Sequence, residues 1–274
     1  MRADASGPVV VEATLDNLKS DDVRFLEEAS ALGPLRVRVP SDALLTAQTG
    51  AAPMFPAAER LFLAESLRFV ERAEVVDVPV AEALAELAAE GASLAVREED
   101  ADPDLGAAAA ACGIALTVVT PAARAGFPVP DPPDPPSGAP RVVITGCYDW
   151  LHSGHIRFFM DAAAYGAVYA VVGSDRNVGL LKGPGHPLQR EEERRYMVGA
   201  VKSVHRCLVS SGSGWMDAEP EIAWIRPTHY VVNEDGDQPE KREFCREHGI
   251  EYVVLERLPH AGLPARSSTS LRGF

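Results

Sequence analysis

The chain has 274 residues, 46% of them hydrophobic and 24% charged, which suits a globular protein with a real core in one large or two smaller domains. No apolar run approaches the roughly 18–20 residues that cross a bilayer, and Met1–Val11 lacks the basic and apolar stretches of a signal peptide, so no membrane partner and a cytoplasmic location are expected. A formal net charge of −14 argues against a nucleic-acid binder, which needs clustered Lys and Arg.

Residues 1–127 alternate strand-like and helix-like stretches, and Ala and Leu accumulate along Val80–Ala89 in a core pattern. From Phe127 to Pro140 the chain reads F-P-V-P-D-P-P-D-P-P-S-G-A-P. Prolines remove backbone donors and fix φ, which predicts a semi-rigid linker over 128–140. Beyond it, Arg141–Thr145 is a short apolar run, followed by a Gly-containing turn and a helical stretch, His155–Ala164. Val168–Val172 reads as a buried strand, Glu191–Val204 as a helix, Tyr230–Val232 as a strand, Glu240–His248 as a helix and Tyr252–Leu255 as the last strand. Strands alternating with helices predict an α/β fold, a Rossmann-like, doubly wound parallel sheet that binds ligands at the carboxyl ends of its strands. The cysteines Cys112, Cys147, Cys207 and Cys245 are scattered without a C-x-x-C pair and are expected as free thiols.

The two halves can be laid over each other. At an offset of 133, Asp16, Leu18, Arg24, Phe25, Asp42 and Gly50 meet Asp149, Leu151, Arg157, Phe158, Asp175 and Gly183. One residue of slippage brings Glu59-Arg60 onto Glu193-Arg194, and two more bring Gly113-Ile114 onto Gly249-Ile250. A colinear series with two small shifts indicates an internal duplication, with domains at 1–127 and 141–274.

The strongest local signal is T-G-C-Y-D-W-L-H-S-G-H, Thr145 to His155. It follows a strand and opens a helix, where free N–H groups and the helix dipole favour an anion. His152 and His155 can both face that anion, and Gly154 lets the backbone approach it. Charge supports the same half: residues 1–138 hold 10 Lys+Arg and 23 Asp+Glu, whereas residues 139–274 hold 16 and 17. A polyphosphate site needs cations.

The string resembles the G-x-F-D-x-L-H-x-G-H motif of the cytidylyltransferase-like nucleotidyltransferases, with Tyr148 in place of Phe and Cys147 in the variable position. The resemblance runs along nearly all of residues 140–274. Ser174-Asp175 closes the second strand, Lys182 stands in L-L-K-G, and Pro187–Met197 is similar to the family's P-x-x-x-x-E-x-R helix with Arg194 as its arginine. His186, in G-P-G-H-P, lies close to Lys182, whereas His205 and His229 sit beside apolar runs and read as packed or surface residues. Arg266-Ser267-Ser268-Thr269-Ser270 resembles the I-S-T-T segment that opens the final helix. The chain departs from the family by reading H-A-G-L-P-A-R-S-S-T where R-T-x-G-I-S-T is usual, so Arg266 would replace the family arginine from a shifted position.

The resemblance implies attack by a phosphorylated (or phosphonate) acceptor on the α-phosphorus of an NTP, with pyrophosphate leaving. His152, His155 and Lys182 would be catalytic. Thr145, Gly146, Cys147, Tyr148, Gly154, Arg194, Asn233, Asp235, Arg266, Ser267, Ser268 and Thr269 would bind nucleotide. Asp149, Asp175, Trp215 and Asp217 are candidates for the acceptor pocket. Mg²⁺ bridging the phosphates is implied, with its protein ligands unassigned. CTP is the first choice of co-substrate and ATP the alternative; a nucleotide-sensing protein without turnover is the rival from another class. The first copy lacks this set: His152 and His155 are matched by Lys19 and Asp22, Lys182 by Thr49, and Arg266–Thr269 by Pro130-Asp131-Pro132-Pro133. The tandem layout resembles that of the ethanolamine-phosphate cytidylyltransferases. A siteless first copy is expected to act as partner in an intramolecular pseudo-dimer, with further homo-oligomerisation left open.

Overall fold

The computed structural model describes residues 7–267 and Leu271. The chain forms two compact units, divided between Gly126 and Phe127. The first runs β1 (Val9–Glu12), α1 (Ser20–Ser30), β2 (Leu35–Pro40), α2 (Asp42–Thr49), α3 (Ala57–Ser66), β3 (Arg72–Val76), α4 (Leu84–Ala89), β4 (Ser93–Arg97), α5 (Pro103–Ala111) and β5 (Leu116–Val119). The second runs β6 (Arg141–Gly146), α6 (Ser153–Ala163), β7 (Ala167–Val172), α7 (Asp175–Lys182), α8 (Glu191–Gly199), β8 (Val204–Val209), α9 (Glu219–Ile225), β9 (His229–Asn233), α10 (Pro239–His248) and β10 (Glu251–Leu255).

Each unit is a five-stranded parallel sheet flanked by helices, in the orders β3-β2-β1-β4-β5 and β10-β9-β6-β7-β8. Numbered from its own first strand, each sheet reads 3-2-1-4-5, and the chain therefore holds two Rossmann-like sheets in tandem. The central strands are buried on both faces, as a parallel sheet covered by helices requires: Val142, Val143 and Ile144 are all inaccessible.

The sequence offsets reappear as element starts. Helices α1 and α6 begin at Ser20 and Ser153, α2 and α7 at Asp42 and Asp175, and α5 and α10 at Pro103 and Pro239. Polar interactions that shape the backbone are also twinned. Asp16 accepts the N–H groups of Met54 and Phe55, and Asp149 those of Leu188 and Gln189. Arg60 and Arg194 are both fully buried. Arg60 donates to the carbonyls of Phe55 and Thr14 and to Asp42; Arg194 donates to Gln189, Cys147, Gly173 and Asp175. Leu15 and Tyr148 share a left-handed φ of 50° and 51°, an uncommon conformation for bulky side chains.

One expectation needs correction. The helix read over Glu191–Val204 ends at Gly199, and Val204 begins β8. Val198, Val201 and Val204 keep a helical spacing and are all buried, but the last faces the core from a strand. Helices α7 and α9 lie between the elements read from the sequence. The proline-rich stretch belongs to the second unit: Arg195 donates to the Phe127 carbonyl, and Arg206 holds the Pro132 carbonyl and Asp131. All four cysteines are free, and no helix among the described residues is long and apolar enough to cross a membrane.

Candidate active site

In the second sheet the chain order reverses between β6 and β9, the place where an open α/β sheet leaves a crevice beyond its strand ends. A pocket of about 440 Å³ opens there. Thr145–Asp149, Gly154 and His155 line it from β6 and the start of α6, Lys182 and His186 from α7 and the following loop, and Asn233, Asp235, Gly236, Lys241 and Arg257 from the β9 side.

The turn from β6 into α6 is tight. A Cβ on Gly146 would lie 2.6 Å from the Tyr148 ring, so only glycine fits beneath it. Tyr148 in turn packs edge-on against His155 and Phe159, with ring centroids 5.3 and 5.1 Å away. The His152 and His155 rings stack at 3.8 Å. His152 is the N-cap of α6, and its Nδ1 accepts the Gly154 N–H at 3.1 Å. That bond requires an unprotonated Nδ1, so a neutral His152 carries its proton on Nε2, which has no partner among the described residues although the side chain is buried. Burial, with the positive charges of Arg257 and Arg266, lowers the His152 pKa to about 4. Burial, His152, Arg257 and Lys182 hold His155 well below the usual histidine value. Both rings are therefore neutral hydrogen-bond donors at pH 7 rather than cations.

The charge comes from elsewhere. Lys182, the last residue of α7, is exposed at the rim beside the half-buried Cys147, whose thiol is pushed up by burial. Arg257 pairs with Asp235 and donates to the Arg266 carbonyl, which draws the C-terminal segment toward the start of α6. A Cβ on Gly154 would stand 3.5 Å from that carbonyl. Ser267 accepts the Leu271 N–H through its carbonyl; Ser268 and Thr269 lie outside the described residues.

Several expected ligands are committed to the protein itself. Arg194 is inaccessible and spends its guanidinium on three carbonyls and Asp175, so it shapes the site's backbone. Asp175 is the other half of that pair. Asp149 lines the pocket, but its carboxylate holds the Leu188–Gln189 turn. Trp215, about half exposed, and Asp217, which accepts from Ser210, do not line the pocket. Arg266 is represented beside the pocket by its carbonyl and its charge on His152. Sequence reasoning missed Lys241, Arg257 and Phe158. The repeat held a signal for the first, because Lys241 falls on Leu105.

The first unit has a cavity of about 320 Å³ at the corresponding strand ends. Its lining replaces Thr145 with Glu12, His155 with Asp22, Lys241 with Leu105 and Asn233 with Arg97. Asp22 accepts the Lys19 N–H at the start of α1 and pairs with Arg97. A carboxylate thus occupies the helix end where the second unit leaves room for an anion.

A parallel sheet with paired histidines at the first helix N-terminus, and cations around the adjoining crevice, is the arrangement of a nucleotidyltransferase. The chain belongs to the cytidylyltransferase-like family, which matches residues 143–272. An FAD synthase from Aciduliprofundum boonei is 34% identical over 118 residues, covering 42% of this chain and 76% of that protein. A bifunctional protein HldE from Gluconobacter oxydans is 41% identical over 122 residues, covering 43% of this chain; the match spans only 25% of that longer protein. Among solved structures, a lipopolysaccharide core biosynthesis protein from Thermoplasma volcanium is 22% identical, with a TM-score of 0.38 over 44% of this chain and 99% of that one.

Proposed function

We propose that the second unit transfers a nucleoside monophosphate from an NTP to the phosphate (or phosphonate) of a small acceptor. The observation that carries this reading is the neutral His155, stacked on the buried His152 at the start of α6, lining a pocket with Lys182, Lys241 and Arg257. An acceptor oxygen bonds to the α-phosphorus, the bond to the α–β bridging oxygen breaks, and pyrophosphate leaves with that electron pair. The acceptor is already ionised at neutral pH, so catalysis is alignment and stabilisation of charge. His152 and His155 donate hydrogen bonds to phosphate oxygens, Lys182 acts as a mobile point cation, and the N–H groups of α6 complete the cradle. Arg194 and Asp149 fix the two turns that present these groups.

Mg²⁺ fits as a companion of the NTP. Among the described residues no group of three His, Cys, Asp or Glu side chains could hold a metal, while Asp235 and Asn233 put oxygen donors in the pocket. Such a metal would neutralise phosphate charge and needs few protein ligands. Of the two co-substrates, the similarity to an FAD synthase, whose named product contains an adenylyl group, favours adenylyl transfer over the cytidylyl transfer read first from the motif. The first unit is best understood as a duplicated copy that kept its fold and lost its site.

Pyrophosphate release measured with each NTP against FMN, sugar phosphates, alcohol phosphates and phosphonates tests the reading. His155→Ala should lower kcat by about 10²–10³ while the protein stays folded. Near-wild-type turnover in that variant would remove the mechanism, and tight NTP binding without pyrophosphate from any pairing would leave nucleotide sensing as the function.

A further inference from the structure

Lys241 is 7% exposed. It occupies the first turn of α10, where the helix dipole disfavours a cation. Its Nζ donates to Thr145 Oγ1 at 3.4 Å and to the Gly236 carbonyl at 3.2 Å, and lies 5.7 Å from the centre of the Tyr230 ring. These are contacts to neutral groups; Asp217 and Asp237 favour its charge from further away, but among the described residues no carboxylate makes an ion-pair contact with this ammonium. Burial accordingly lowers its pKa. A buried cation with no carboxylate in direct contact is costly, and the fold does not require one. The corresponding residue of the first unit is Leu105, at the same place after Pro103 as Lys241 after Pro239. The surrounding backbone bonds are also alike: Ile114 N–H donates to Ala109 and Ile250 N–H to Cys245, both at 2.9 Å.

We propose that Lys241 is a specificity-determining residue that binds the phosphate of the acceptor. This rests on the reading of the pocket as a nucleotidyl-transfer site. Thr145 lies on the same side of β6 as Val143, which packs with Ile222 and Cys245 on the face covered by α9 and α10. Gly146 faces the other way, beneath Tyr148 and toward α6. His155, with His152 stacked on it, therefore reaches the pocket from the α6 face and Lys241 from the α10 face. In-line displacement needs the incoming and leaving oxygens on opposite sides of the α-phosphorus. With the leaving pyrophosphate at the start of α6, the acceptor phosphate enters from the side of Lys241, with Thr145 and Asn233 beside it.

The test uses full-length wild type, Lys241→Met and Lys241→Arg, titrated with α,β-methylene ATP and then, once saturated, with inorganic phosphate as the acceptor probe. Lys241→Met should weaken phosphate binding by about tenfold or more, and nucleotide binding by no more than about twofold. Lys241→Arg should retain phosphate binding. Without ligands, Lys241→Met should melt at a higher temperature than wild type, which a lysine serving only the fold would not do. Unchanged phosphate affinity, an equal loss of nucleotide affinity, or a lower melting temperature would overturn the assignment. A wild type that binds both probes but releases no pyrophosphate from any substrate pair would instead sink the function, leaving Lys241 as an anion site.

Discussion

Replacing Arg194 with methionine keeps length and apolar packing but removes the four hydrogen bonds that its guanidinium makes at 2.7 to 2.9 Å. Three of them end on the carbonyls of Gln189, Cys147 and Gly173, and the fourth on the half-exposed Asp175 carboxylate. Orphaning a buried acceptor costs about 1–3 kcal/mol, and breaking a buried ion pair about 3–5 kcal/mol. Some relaxation and water entry at the Asp175 side bring the expected loss to about 4 kcal/mol. Arg60→Met should cost a similar amount, since Arg60 makes three such bonds in the first unit. Urea unfolding gives both values, and NTP titration at low temperature gives the affinity of the folded fraction. The reasoning fails if folded Arg194→Met loses under about 1 kcal/mol yet binds NTP about tenfold more weakly. That pattern would mean a guanidinium in contact with phosphate.

The remaining expectations concern charge and orphaned polar groups. His152 titrates near a depressed value of about 4, so the unfolded chain takes up its proton first. Its contribution is full above pH 6.5 and is lost as pH falls toward 4, by about 3 kcal/mol, which urea midpoints and imidazole NMR across that range would show. An imidazole resonance titrating at the ordinary value would contradict the burial. Tyr148→Phe removes a buried hydroxyl without a partner and should stabilise the protein by about 1 kcal/mol; a destabilised variant would reveal a bond to that oxygen. Asp22→Ala takes away an α1 cap and the partner of Arg97, and should cost about 1–2 kcal/mol while leaving turnover within about threefold. A strong loss of activity in the folded variant would show that the first unit still has a site.

Much of this was legible in the chain. The three offsets between the halves coincide with helix starts, and the changes of offset fall between the packed elements. The T-G-C-Y-D-W-L-H-S-G-H string located the site because a strand end, a close-approach glycine and a helix start leave a local pattern. Arg194 misled because sequence shows that an arginine is present but not whether it faces the crevice or the core. Lys241 was hidden on a short polar helix with no local pattern, and its neighbours Thr145 and Gly236 come together only through the sheet. Helix α8 was read too long because Val201 and Val204 continue a helical spacing after the backbone has turned into β8.

Comparing the two units separates the groups that hold the fold from those that hold a ligand. Arg60 and Arg194 make equivalent bonds, as do Asp16 and Asp149, although only the second unit keeps the histidines. A guanidinium present in both units with matching bonds, beside crevices lined by different residues, serves the backbone, and that is why Arg194 belongs with the scaffold. The reverse test picks out His152, His155, Lys182 and Lys241, which stand opposite Lys19, Asp22, Thr49 and Leu105 while the turns and helix starts around them stay the same. The replacements also explain why the first cavity should not take a triphosphate. Glu12, Asp22 and Asp100 line it, and Arg97 is already engaged by Asp22. An entering polyphosphate would have to displace a carboxylate from a helix N-terminus and then remain beside it, which adds like-charge repulsion to the loss of a cap.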